Sequence, residues 1–205
     1  MLAPVLLGLA SLTAAQACPP QGEGGDWLLN LQKNRDRAPE RFEDLDVAAI
    51  LELPRHYPVA RWRARWPEAV KNEVDAQERR GVTLEGYLLA AHQSGPESCN
   101  CHDRAARDFH LWIGAAPATD TLDAKLRRAQ AVVVEMTPRL RALHPSWRLR
   151  TLERLAHDRV RVRVQGWLMY DPEHPGELGK SRGTLWEVHP ITGFQIFSGG
   201  RWLDL

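Results

Sequence analysis

Two imidazoles and several carboxylates fall at spacings that suit acid–base or metal chemistry. Asp108 and His110 alternate with Phe109, Leu111 and Ile113, so in an extended segment the polar pair takes one face and the apolar residues the other. Glu135 stands off the face of Val132 and Val134, and Glu187 and His189 share a parity further on. If these segments are neighbouring strands that open on a common mouth, Asp108, His110, Glu135 and His189 converge as the candidate catalytic set. Such a set binds Zn²⁺, Mn²⁺ or Fe²⁺ with open positions, or works as general acid and base. The plainer alternative is a row of outward strand residues in cross-strand pairs. No His-Glu-x-x-His spacing occurs, so no residue is assigned to a metal and the cofactor stays unknown. A serine nucleophile elbow, a phosphate loop and a dinucleotide glycine pattern are also absent from the sequence.

The three cysteines add a second constellation. Cys99 and Cys101 flank Asn100 and precede His102. In an oxidising compartment either pairs with Cys18, or the two pair with each other; alternatively both thiols and His102 hold a soft metal.

Charge excludes a global polyanion field, because 27 basic residues offset 26 acidic ones for a net +1. A nucleic acid or an anionic glycan would need a local patch. Arg139, Arg141, Arg148, Arg150, Arg154, Arg159, Arg161 and Arg163 supply one, and the chain carries 8 Trp on which flat groups can stack. Arg161, Arg163, Arg182, Trp112, Trp167 and Trp186 are the predicted ligand-binding residues. Against this, Glu153 and Asp158 balance the same stretch as an ordinary solvated face.

The elements that must position these groups are legible from period. Residues 26–81 read as helices: Asp26 caps the first, whose stripe is Trp27, Leu28 and Leu31; a second spans 42–53; a third starts at Pro67 and ends at Gly81. Five strands follow at 82–90 (with an internal Gly86 for bending), 108–113, 131–136, 160–170 and 183–197, with a helix at 145–157 capped by Ser146. Strand, strand, strand, helix, strand, strand resembles the order of the OB-fold, which implies an α+β chain with a five-stranded OB-fold-like barrel over 82–205 and a helical N-terminal extension over 26–81. The resemblance places ligands across the second and third strands, between the loops 92–107 and 171–182.

Before these elements, Leu2 to Leu12 form an apolar run and Ala15-Gln16-Ala17 a signal-peptidase pattern, so 1–17 are expected to be a cleaved signal peptide and 18–25 a flexible leader. Export to the periplasm or medium follows, with no transmembrane segment. A lipid anchor at Cys18 is the less favoured outcome, since Ala15 stands where the lipobox prefers Leu. Through Asn30-Leu31-Gln32-Lys33-Asn34-Arg35, Glu97-Ser98-Cys99-Asn100-Cys101 and Trp186-Glu187-Val188-His189-Pro190, the chain also resembles an uncharacterised family of exported bacterial proteins. The expected function is an exported binding module for an oligomeric or anionic ligand. A hydrolase built on the His/Asp/Glu set, with a metal-dependent phosphodiesterase as its candidate form, is the first alternative, and a structural envelope protein the second.

Overall fold

The computed structural model describes residues 18–55 and 60–205; the predicted signal peptide lies outside them. Along the chain run α1 (Trp27–Lys33), β1 (Glu43–Asp46), α2 (Val47–Leu51), α3 (Glu68–Glu78), β2 (Gly81–Gln93), β3 (Phe109–Gly114), α4 (Thr121–Arg127), β4 (Val132–Met136), α5 (Pro138–Arg141), α6 (Leu149–His157), β5 (Arg161–Tyr170), β6 (Trp186–Ser198) and β7 (Arg201–Asp204). Strands β2-β3-β4-β6-β5 form a continuous path that closes through a β2–β5 pairing. The fold is α+β, a closed five-stranded barrel compatible with an OB-fold-like architecture, with α6 between its third and fourth strands as the sequence predicts. Among the described residues no helix is long and apolar enough to cross a membrane.

β2 makes closure work, because one 13-residue strand serves two partners: Gly81 to Tyr87 pairs with β5, and Tyr87 to Gln93 with β3. Its register against β3 shifts between Leu88 and Ala90, and Gly86 lies close against β3. A Cβ there would come within 2.5 Å of Ile113 Cγ2 and 2.7 Å of the Gly114 carbonyl oxygen, so only glycine fits. Alternate residues of every barrel strand fill the interior, among them Leu84, Leu111, Val134, Val164 and Val188. α6 lays Leu152 and Leu155 over this core.

Several elements depart from their predicted form. The segment 42–53 divides into β1, which adds to β2 in parallel, and the shorter α2, capped by Asp46 through a 2.8 Å bond from the Ala49 amide; strand pairing overrides the local preference of Glu43-Asp44-Leu45-Asp46. Arg148, with no side-chain cap, rather than Ser146 begins α6. Asp120 opens α4, a helix not foreseen in the charged stretch 120–128, by accepting from the Asp123 amide at 2.9 Å. The strand β7 pairs with β6 beyond the barrel.

Residues 18–25 are also tied down rather than loose. Cys18 and Cys101 form a disulfide with Cα atoms 5.8 Å apart, which leaves Cys99 free and buried. Asn30 Nδ2 donates to the carbonyls of Gln21 (2.9 Å) and Gly24 (3.1 Å), and Asn34 Nδ2 to those of Pro20 (2.9 Å) and Cys99 (2.7 Å). At Gly22, φ is +68° and a Cβ would lie 2.1 Å from the Ser98 carbonyl oxygen, so glycine alone permits this approach. A sulfur in the disulfide has no thiol left for a thioether-linked lipid, so the two are exclusive states of Cys18. Because the bond spans 83 positions, Cys101→Ser should cost about 2–4 kcal/mol. An unchanged urea midpoint would mean that the asparagine bonds alone hold the leader.

Candidate functional site

Strand register brings the predicted catalytic residues together. On β3, His110 is the direct partner of Glu135 on β4 and of His92 on β2. β4 and β6 run parallel with Val133 opposite Glu187, so continuing that register sets Glu135 beside His189. These side chains take the parity opposite to the barrel core and converge on the outer face of the barrel, where the sequence suggested its mouth. His110 Nε2 lies 3.2 Å from Glu135 Oε2, which lies 3.2 Å from His189 Nδ1; His189 Nε2 is 3.9 Å from Asp108 Oδ2. Asn100 Nδ2 donates to Asp108 Oδ1 at 3.0 Å.

An outward polar face would normally be solvated, but here α1, the pinned leader and the loop 94–108 cover it. Asp26 caps α1 as predicted, accepting from the amides of Leu28 (3.1 Å) and Leu29 (3.5 Å). The predicted apolar stripe is inverted, however. Trp27 and Leu31 are exposed while Leu29, Asn30 and Lys33 face inward, because the helix packs on a polar layer. Lys33 Nζ donates to Glu97 Oε2 at 3.0 Å and to Glu173 Oε2 at 3.3 Å, and Arg61 reaches Glu173 Oε1 at 2.9 Å. Glu97 Oε1 stands 3.5 Å from His110 Nε2. Behind β6, Arg182 Nη1 donates to Asp171 Oδ2 (2.7 Å) and Glu187 Oε1 (2.6 Å), and Glu187 Oε2 lies 3.4 Å from His189 Nδ1. Arg35 fixes the strand itself, donating to the His189 carbonyl at 3.0 Å and the Leu168 carbonyl at 3.2 Å. One polar chain thus runs from Arg61 through Lys33, Glu97, His110, Glu135, His189, Glu187, Arg182 and Asp171 to His174.

Burial and neighbours set the charges along that chain. Desolvation, with Lys33 and His110 adding to it, pulls His189 down to about 4, so its ring is neutral. Desolvation and the nearby Glu97 and Glu135 push Asp108 up to about 8. Burial outweighs Arg182 and lifts Glu187 to about 7. Desolvation works against charge at His110 too, but Glu135 and Glu97 overcome it and raise His110 well above its ordinary value. Burial likewise opposes ionisation of Glu97, which Lys33 and His110 nevertheless hold far below the usual carboxylate range.

Where this chain reaches solvent it lines a cleft of 710 Å³ between the loops 92–107 and 171–182, the location implied by the barrel topology. Of the predicted catalytic set His110 lines the cleft, while Asp108, Glu135 and His189 lie buried behind it. The predicted ligand residues do not form one surface. Trp112 and Arg182 line the cleft, the latter almost fully buried in its ion pairs. Trp186 is a core residue whose indole donates to the Pro54 carbonyl at 2.9 Å. Arg161 and Arg163 share Glu85 (2.8 and 2.5 Å), and Trp167, on their side of β5, donates to the Arg37 carbonyl at 2.8 Å.

Lys33 and Arg61 were not singled out from sequence, whereas Glu173 belongs to the loop 171–182 expected to flank the ligand; the one signal for Lys33 is that, like Glu97, Glu187 and His189, it sits in a segment that carried the family resemblance. His174 also belongs to the site: its Nδ1 is 2.6 Å from Asp171 Oδ2. That hydrogen bond outweighs burial and raises His174 from 6.5 to about 9. A raised pKa stabilises the fold below the unfolded value, and the contribution is lost as pH climbs through the folded one. The urea midpoint of His174→Gln should therefore trail wild type at pH 6 and meet it by about pH 10. A gap indifferent to pH would mean that the ring only packs. Comparison with family models, with curated proteins and with solved structures finds no match.

Proposed function

We propose that this chain is an exported hydrolase that cleaves an anionic ester, in the first place a phosphodiester, in the cleft between the loops 92–107 and 171–182. One observation carries the reading: His110 Nε2, on the wall of an open cleft, and Glu135 Oε2, 3.2 Å behind it, are buried polar atoms that no hydrogen bond satisfies. Buried polar atoms are normally satisfied, and leaving them bare is costly unless a reacting group completes them. Water held by Glu97, His110 and Glu135 is the nucleophile: it attacks phosphorus and gives its proton to the Glu135 carboxylate as the P–O bond to the leaving oxygen breaks. His174, protonated at neutral pH through Asp171, gives its proton to the leaving oxygen. Arg61 and Arg128 meet the substrate charge; Arg128 is held 5.1 Å over the ring of the buried Trp112, which also packs on His92 at 4.6 Å. Export is supported by the predicted signal peptide and agrees with the Cys18–Cys101 disulfide.

Initial rates on bis(4-nitrophenyl) phosphate and on a single-stranded oligonucleotide test this reading. His174→Ala should lower turnover about 10²–10⁴-fold without unfolding the protein, and wild-type activity should fall as pH rises through the His174 titration. Turnover unchanged in His174→Ala would remove that residue from the chemistry. The cleft arginines Arg61 and Arg128 also favour a second reading, a module that binds a nucleic acid or an anionic glycan without cleaving it. It expects salt-dependent affinity weakened by Arg128→Ala. Loss with Arg161→Ala or Arg163→Ala instead would move the ligand to the outer face of β5, and absence of both binding and turnover would leave a structural envelope protein.

A further inference from the structure

We infer that Glu97, His110 and Glu135 form a site for one divalent transition-metal ion, Zn²⁺ or Mn²⁺, with a coordination position open to the cleft. The inference deepens the hydrolase reading, but its geometry stands independently. Glu97 Oε, His110 Nε2 and Glu135 Oε2 come within 4.8 Å of one another. His110 Nε2 is 3.5 Å from Glu97 Oε1 and 3.2 Å from Glu135 Oε2. In a tetrahedral site with bonds of about 2.0–2.1 Å, ligand atoms stand about 3.3–3.4 Å apart. The two spacings at His110 are thus those of ligands around an ion, and the two carboxylates come within 4.8 Å of each other.

Three further features separate this group from a chance cluster. Glu135 is 3% exposed and its Oε2 has no hydrogen-bond partner, the same being true of His110 Nε2. Lys33 holds Glu97 through Oε2, which orients the carboxylate and leaves Oε1 free toward His110. Behind Glu135, His189 Nδ1 approaches its Oε2 to 3.2 Å and lies 3.4 Å from Glu187 Oε2. Two other groups have comparable spacing, Asp108 with Glu135 and His189, and Glu97 with Cys99 and Asp108. Neither has more than one residue on the cleft, so an ion there would have no position for substrate. One imidazole with two carboxylates suits a borderline cation, and a bound water on its open side would be acidified toward neutrality.

Chelator-stripped, disulfide-intact protein titrated separately with Zn²⁺ and Mn²⁺ tests the site, with bound metal counted by elemental analysis after gel filtration. The expected result is one equivalent per chain for at least one of the two ions. His110→Ala and Glu97→Gln should each weaken it about 100-fold or more, and Lys33→Met about 10–100-fold. Cys99→Ser and His157→Ala should leave it unchanged. Circular dichroism checks each variant, and His110→Asn replaces the alanine variant if that fails to fold. Wild-type protein that takes up neither ion, binding that survives both ligand substitutions, or loss with Cys99→Ser alone would each overturn the site. Stoichiometric metal without phosphodiester turnover would uphold the site and sink the hydrolase reading. Turnover in protein that binds no metal would do the reverse.

Discussion

Arg182→Ala should destabilise the protein by about 3–5 kcal/mol at neutral pH, a large part of the 5–15 kcal/mol that holds a typical domain together. Arg182 is 2% exposed and its Nη1 alone serves both Asp171 and Glu187, each as deeply buried. Taking the guanidinium away leaves Asp171 with His174 as its ion-pair partner and Glu187 in a medium that cannot solvate its charge. Burial already lifts Glu187 to about 7 with the arginine present, so in the variant this carboxyl would favour the protonated form. A group whose folded pKa lies above its unfolded one loses stability as pH rises, so the deficit should be wider at pH 8 than at pH 5. Arg182→Lys, a point charge in place of a fork, should recover only part. A urea midpoint for Arg182→Ala within about 1 kcal/mol of wild type would show that the pair contributes little to stability, as exposed pairs do.

His110→Ala should lower kcat about 10²–10⁴-fold, as much as His174→Ala. The residue is the contact between the buried polar chain and the cleft: on one side Glu135 Oε2 at 3.2 Å, on the other Glu97 Oε1 at 3.5 Å. A packing role would show in stability and spare kcat. The two are separable because His110 sits on the outer face of β3, away from the Leu111 and Ile113 core, so its loss should not empty the barrel. Melting temperature and kcat measured on one preparation divide the outcomes. Unchanged kcat with lower stability would reduce His110 to a cross-strand partner of Glu135.

The barrel and the convergence were legible because both rest on period. Alternation at Asp108, His110, Glu187 and His189 set them apart from the valines and leucines of the same strands, and β-strand geometry converts that parity into a common face. What covers the face was not legible. The pattern of Trp27, Leu28 and Leu31 marks an amphipathic helix but assumes that its apolar side is the buried one; α1 buries Asn30, Lys33 and Asn34 because its partner surface carries charge. The leader was misjudged for a related reason. Cys-Pro-Pro-Gln-Gly-Glu-Gly-Gly has the composition of a loose segment, yet Gly22 supplies a close approach and Asn30 and Asn34 supply donors from a helix whose own role was hidden. Arg161 and Arg163 were legible only as a density of charge: the pairing of both with Glu85 on the neighbouring strand needs the β2–β5 register.

The measurement closest to the central claim is an initial-rate assay of the disulfide-intact protein beginning at Cys18, supplied with Zn²⁺ or Mn²⁺, on a single-stranded oligonucleotide, with products resolved by mass. The account predicts cleavage of phosphodiester bonds that Glu97→Gln and His110→Ala abolish while His157→Ala, on the far exposed end of α6, does not. No cleavage by the folded wild-type protein above the uncatalysed rate, or cleavage that both cleft substitutions leave intact, would contradict it.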